Sequence, residues 1–247
     1  MMARLGRLAG ALLCILATPA TAGDGCRAVR HDGEGYAVCE VEAGADLRLF
    51  QHGADGALLG GFGAVGDALA VEDRRLAFAM NGGMYHPDRS PVGLLVVDGR
   101  ELAPLVEGPG PGNFGMEPNG VFCVRDDGFA VTTTPDYAAA RPECRHATQS
   151  GPMLVIDGAL HPRFIEGSDS RHVRNGVGVS GDGRTAWLAI SDRPVSFHRF
   201  ARLFRDGLGA TDALYLDGKV SRLHAPSLAR SDLGWPMGPI LGLAVPD

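Results

Sequence analysis

The chain repeats one pattern of apolar and polar positions: a short apolar run, then Asp-Gly or Gly-Asp-Gly, then a second apolar run. Five copies stand out, GLLVV-DG-RELAPL from Gly93, VFCVRD-DG-FAVTTT from Val121, MLVI-DG-ALHPRF from Met153, GVGVS-GDG-RTAWLAI from Gly176 and ALYL-DG-KVSRL from Ala213. Glycine accepts the positive φ of a tight hairpin turn, so each copy predicts two antiparallel strands. Leu76, Phe78 and Met80 alternate as a further strand, and the tail GWPMGPILGLAVP predicts a short closing strand. Phe197, Phe200, Ala201, Phe204 and Leu208 recur at 3/4 spacing with Gly207 and Gly209 near the end, which predicts an amphipathic helix; a weaker one is expected over Val65 to Arg74. The fold class expected is α+β, mainly antiparallel β hairpins with one or two helices packed on the sheet. No linker or charge run divides the chain, so residues 23–247 form one expected domain.

Residues 1–22 are set apart. Arg4 and Arg7 precede the apolar run Leu8 to Ala17, and Ala20-Thr21-Ala22 closes it as a small-x-small cleavage site. This reads as a secretory signal peptide and predicts export across the inner membrane to the periplasm. The run is about half of the ~20 residues a spanning helix needs, so no permanent membrane anchor is expected. Removing it takes two arginines and no acid, leaving 21 basic and 29 acidic residues. With that charge and 6% aromatic residues, nucleic acid is not an expected partner.

Export also changes what the cysteines mean. Cys26, Cys39, Cys123 and Cys144 remain after cleavage, and an oxidising compartment favours disulfides over zinc thiolates. Four cysteines allow three pairings; local closure favours Cys26 with Cys39 and Cys123 with Cys144. The eight histidines are scattered, with neither H-x-H nor H-E-x-x-H, and the acids follow no EF-hand spacing. No metal site and no cofactor are expected, although the sequence leaves open a calcium held by loop oxygens.

Candidate chemistry gathers where strands end. Asn81-Gly82-Gly83, followed by Met84 and Tyr85, stops a buried strand with residues free to turn, and successive amides in such a turn form an anion-binding nest. Gln149-Ser150-Gly151-Pro152 permits close backbone approach to a ligand at the entrance of MLVI. Ser150 lacks a G-x-S-x-G elbow, which argues against a serine nucleophile. Arg174, before Asn175-Gly176, offers a planar fork to a phosphate or carboxylate. Asp192 and Asp217 end strands where active-site carboxylates often sit, and both also suit ordinary turns.

Taken in order, NGGMY (81–85), PNGVF with Asn119 (118–122), QSGPML (149–154), Arg174 with Gly178, the helix FHRFARLFRDGLG and ALYLDG with Ser221 resemble the phosphodiester glycosidase family. The resemblance runs from about Leu47 to Gly242. It implies hydrolysis of a sugar phosphodiester at the anomeric C–O bond, giving free sugar and a phosphomonoester, with a small-molecule or glycan phosphodiester as substrate. It points to Asn81, Gly82, Gly83, Ser150, Gly151, Arg174, Asp217 and Gly218. On that reading Arg174 and the amides near Gly82 and Gly83 bind phosphate, while Asp217, and Asp192 less directly, supply carboxylate chemistry. Two departures stand out. The family's Asp-Gly-Gly-Gly-Ser is here Asp217-Gly218-Lys219-Val220-Ser221, and its Arg-Thr-Ala-x-Gly is Arg174-Asn175-Gly176-Val177-Gly178. Lys219 either adds a phosphate-binding cation or neutralises Asp217, and the second case would leave a periplasmic protein that binds phosphorylated glycans without turnover.

Overall fold

A computed structural model describes residues 25–247, so the predicted signal peptide lies outside the described residues. In chain order the elements are β1 (Cys26–His31), β2 (Glu34–Glu42), β3 (Leu47–Phe50), α1 (Phe62–Ala70), β4 (Arg74–Asn81), β5 (Leu95–Val97), β6 (Arg100–Ala103), β7 (Gly120–Arg125) and β8 (Gly128–Thr133). They continue with α2 (Thr134–Ala140), β9 (His146–Ser150), β10 (Met153–Ile156), β11 (Ala159–Leu160), β12 (Asn175–Val179), β13 (Thr185–Ser191), α3 (Phe197–Arg202), β14 (Asp212–Asp217), β15 (Leu223–Ala225), β16 (Arg230–Ser231) and β17 (Ile240–Pro246). The strands form three antiparallel sheets, ordered β1-β2-β13-β12-β14-β10-β11, β16-β15-β4-β17-β3 and β6-β5-β9-β7-β8. The fold is α+β in a single domain, as the hairpin pattern predicts.

One core serves all three sheets. Leu49, Phe78 and Met80 meet Phe122, Val131, Val177, Leu188 and Leu214 in a single buried cluster. Each helix then covers an outer face: α3 lies on the seven-stranded sheet, α1 on β4 and β17, and Tyr137 of α2 packs on β7 and β9. Helix α3 can approach closely because β12 presents glycines to it. A Cβ on Gly178 would come within 2.6 Å of Phe204, and one on Gly176 within 3.2 Å of Phe200. Both predicted disulfides are present, Cys26–Cys39 across the β1/β2 pair and Cys123–Cys144 beneath α2.

Four of the five expected hairpins form, and the fifth does not. After β14 the chain leaves its sheet, and β15 pairs with β4 instead. Asp217-Gly218 therefore ends a strand at a sheet crossover rather than turning a hairpin. In the second hairpin the turn falls on Asp126 and Asp127, with Gly128 paired to Arg125. Gly128 is needed inside the strand because a Cβ there would lie 2.6 Å from the Gly183 carbonyl. The weaker helix starts at Phe62 rather than Val65 and ends at Ala70, before the strand that begins at Arg74. Its stronger counterpart continues past Arg202 as a π-helical turn to Leu208, capped by Gly209 at φ +76°. Helix α2 has no counterpart in the apolar pattern; the Thr133 side chain caps it, accepting from the Asp136 amide. The tail strand β17 lies inside its sheet, between β3 and β4.

Candidate active site

Asp217 sits where β14 is bulged. Gly176 pairs with Tyr215 and Asn175 with Asp217, so Leu216 is an extra residue in the ladder. A bulge re-aims the side chain that follows it, and here it brings Asp217 to the side of Asn175 and Asn81. The Asp217 Oδ1 accepts from the amides of Gly218 (2.5 Å) and Lys219 (2.8 Å), and Oδ2 accepts from Asn81 Nδ2 (3.2 Å). The carboxyl is 6% exposed, and burial holds its pKa above the usual carboxylate range although the amides and the Lys219 charge pull the other way.

The surrounding groups hold this carboxylate in place. Asn81 is fully buried, accepts at Oδ1 from the Arg222 amide (2.7 Å), and its carbonyl accepts from Asn175 Nδ2 (2.9 Å). The Ser221 hydroxyl lies 3.0 Å from the carbonyls of Val173 and Asp217 and 3.3 Å from Asn175 Oδ1. Ser150 donates to the carbonyl of Leu216 (3.1 Å), the extra residue of the bulge. Its hydroxyl thus positions Asp217 through the backbone, consistent with the missing nucleophile elbow.

Arg174 is the second feature. It is fully buried, and among the described residues it has no ion-pair partner. Its Nε donates to the Val195 carbonyl (2.9 Å) and Nη2 to the Ser170 carbonyl (3.0 Å), while the buried Nη1 has no hydrogen-bond partner. The guanidinium lies 3.6 Å over the ring of Phe197, which stacks on Phe164 and, through it, on His161. Burial lowers the Arg174 pKa, and the Tyr215 phenol opposes that shift. Tyr215 feels both charged groups: burial raises its pKa, Arg174, 5.4 Å from its ring, opposes the rise, and Asp217 adds to it. A Cβ on Gly218 would collide with the Tyr215 hydroxyl, so this glycine is required for the phenol to reach the strand end.

The other expected residues are distributed unevenly. Tyr85 is half-buried beside this cluster; burial raises its phenol pKa and the Asp217 charge adds to it, while Arg89 lies 5.4 Å from the ring centroid. Met84, also half-buried, packs against the core cluster under α3. The Gly82 amide is not free for an anion, because it donates to the Pro239 carbonyl (2.8 Å). A Cβ on Gly83, at φ +152°, would lie 2.6 Å from Thr148 Oγ1, so its bare α-carbon serves strand packing. Gly151 likewise approaches protein rather than ligand: a Cβ there would be 2.6 Å from Asn119, whose Nδ2 donates to the Phe114 carbonyl.

Asp192 does not join Asp217. It is half-exposed and 3.4 Å from Arg230 Nη1, and β12 separates β13 from β14, which sets their backbones about 10 Å apart. Lys219 is exposed and meets Asp217 through its backbone amide; its side chain forms no ion pair with the carboxyl among the described residues, and its charge acts on it only as the weakest of the opposing effects. Tyr215 and Arg222 carry no local sequence signal of a site: Tyr215 and Asp217 stand two apart on β14, and the extra residue Leu216 breaks the alternation between them.

A cavity of about 1100 Å³ lies on the outer face of the third sheet, lined by Asp98, Glu101, Tyr137 and Arg145, and one of about 440 Å³ lies beside Asn119. Neither is lined by Arg174 or Asp217. No group of three or more His, Cys, Asp or Glu side chains converges among the described residues. No described helix is long and apolar enough to cross a membrane.

The chain and its fold are similar to known proteins. The sequence pattern described as phosphodiester glycosidase matches residues 74–224, and the chain belongs to that family. It is 34% identical over 150 residues to the uncharacterized protein YigE of Escherichia coli K12, an alignment covering 61% of this chain and 58% of that protein. The chain therefore spans little more than half the length of this relative. The zebrafish N-acetylglucosamine-1-phosphodiester α-N-acetylglucosaminidase catalytic domain, auto-inhibited by its pro-peptide, superposes with a TM-score of 0.60 at 15% identity, over 88% of this chain and 81% of that one. A hypothetical protein from Synechocystis superposes with a TM-score of 0.52 at 16% identity, over 89% and 61%. These two likenesses concern the fold.

Proposed function

We propose that the protein is an exported hydrolase that cleaves the glycosidic C–O bond of a sugar phosphodiester, releasing free sugar and a phosphomonoester. The observation that carries this reading is the buried Arg174 guanidinium, which has no carboxylate partner and one unbonded Nη. An unpaired buried cation is costly, and an anionic ligand offsets that cost. A diester phosphate bound there gains negative charge as the C–O bond breaks, and a fixed cation stabilises that charge more than it stabilises the substrate.

Asp217 then faces the anomeric carbon. Water adds its oxygen to C1 while the C1–O electron pair leaves with the phosphate. Asp217, as carboxylate, takes the proton of water or steadies the oxocarbenium-like centre. Phosphate is a weak base as a leaving group, so a strong general acid is not needed, which suits a site without Asp192. The exposed Lys219 makes no ion pair with Asp217, which favours hydrolysis over binding without turnover. The two disulfides suit an oxidising periplasm, and the reaction calls on no metal or cofactor.

Incubation of the mature protein with N-acetylglucosamine 1-phosphodiesters, with and without a chelator, tests the proposal. Free sugar should appear with wild type at a chelator-independent rate and fall at least 100-fold in Arg174→Ala and Asp217→Asn, the scale of losing one charge-stabilising group. Equal rates in wild type and both variants would refute it.

A further inference from the structure

Trp235 is 83% exposed and its neighbour Leu233 94%, yet the segment carrying them is fixed. Met237, two residues on, is fully buried and donates its amide to the Gly60 carbonyl (2.8 Å). Arg222 donates to the carbonyl of Trp235 itself, and Asp232 accepts from the Leu223 amide (3.0 Å). The backbone is pinned on both sides of the indole while the ring projects into solvent. The other tryptophan, Trp187, by contrast, bonds its ring nitrogen to Glu40.

The position of Trp235 relative to the site gives it meaning. Arg222, which holds its carbonyl, also donates its amide to Asn81, and Asn81 donates to Asp217. Tyr85 fills the gap, packed against Gly238 and near enough for the Asp217 charge to act on its phenol. Arg174 stacks under α3 at the start of β12 in the seven-stranded sheet, whereas Asn81 and the strand that follows Arg222 belong to the sheet of β4. With phosphate at Arg174 and the anomeric carbon at Asp217, whatever is attached to the sugar extends past Tyr85 towards Trp235. A rigid, flat apolar ring with an arginine at its base suits the apolar face of a sugar and its hydroxyls.

We propose that Trp235 is a stacking platform for a second sugar, so that the preferred substrates are glycans of two or more sugars whose reducing-end sugar carries the phosphodiester. This rests on the hydrolysis proposed above. The test compares methyl phosphodiesters of N-acetylglucosamine and of chitobiose. Trp235→Ala should raise KM for the disaccharide compound about tenfold, the scale of one aromatic contact. It should leave kcat and the monosaccharide kinetics unchanged, and Trp235→Phe should restore part of the loss. Equal KM values in wild type and Trp235→Ala would overturn the platform and leave the hydrolysis intact, as would a tryptophan-dependent dimer seen without any KM effect. If wild type turns over neither compound, the hydrolysis fails, and calorimetric titration decides the platform separately. Tighter binding of the disaccharide that Trp235→Ala removes supports it, and equal binding overturns it.

Discussion

Arg174 stacks at 3.6 Å on Phe197, and this aromatic contact, rather than any carboxylate, supports its buried charge. A stack of this kind is worth about 0.5–2 kcal/mol, well below the cost of burying an isolated cation. Stability alone would favour an apolar residue at position 174. An anion that enters the site supplies the missing partner and should stabilise the fold by mass action.

It follows that inorganic phosphate at millimolar concentration raises the Tm of the wild type, and that Arg174→Met loses this response. Because the variant removes an uncompensated charge but orphans two carbonyls, its own Tm without phosphate should stay within a few degrees of wild type. A thermal melt with and without phosphate measures both. A phosphate shift that survives in Arg174→Met would place the anion elsewhere.

Much of this architecture could be read from the sequence because hairpin chemistry is local. Asp98-Gly99 and Asp157-Gly158 take the positive φ their turns demand, and both disulfides close between near neighbours. What could not be read depended on partners distant in sequence. Asp217-Gly218 carries the same signal as a hairpin turn, yet β15 finds better burial on β4, which shares the core of all three sheets. Gly82, Gly83 and Gly151 suggested ligand approach, and each instead admits a neighbouring strand or loop. The distinction between Asp192 and Asp217 likewise rests on strand order, which no local pattern encodes.

Asp217 should give the protein an unusual acid response. Its folded pKa is raised, so at pH values between the unfolded carboxylate value, about 3.9, and the folded one, the native state binds more protons than the unfolded. The stability tied to this group is fully present at low pH and lost as pH rises through the folded value. Relative to Asp217→Asn, wild type should therefore gain stability on acidification, while hydrolysis that needs the carboxylate falls over the same range. Denaturant titrations of both proteins from pH 7 to 4 check the first statement, and a pH–rate profile checks the second.

His146 should act in the opposite direction. It is 1% exposed, its Nε2 has no hydrogen-bond partner, and burial lowers its pKa to about 4 despite Asp98 at 3.6 Å. The unfolded imidazole titrates near 6.5, so its contribution is present above that value and lost as pH falls towards 4. The loss should be on the order of 2–3 kcal/mol. In His146→Gln the fall in unfolding free energy between pH 7 and 4 should be smaller by that amount, measured in urea at each pH.

Gly218 is the last retained glycine of the final motif, and its constraint is steric. A methyl group there meets the Tyr215 hydroxyl, which cannot yield easily because the side chain is buried, lies beside the Arg174 guanidinium and packs edge-on against Phe197. Gly218→Ala should cost about 1–3 kcal/mol, the scale of overpacking in a filled site. Removing the hydroxyl removes the obstacle, so the same substitution in Tyr215→Phe should cost less than half as much. The coupling energy of that double-mutant cycle isolates the contact from any general effect of adding a side chain. Additive effects would mean that the turn after Asp217 relaxes independently of Tyr215, and the requirement for glycine would then lie in the backbone rather than in the phenol.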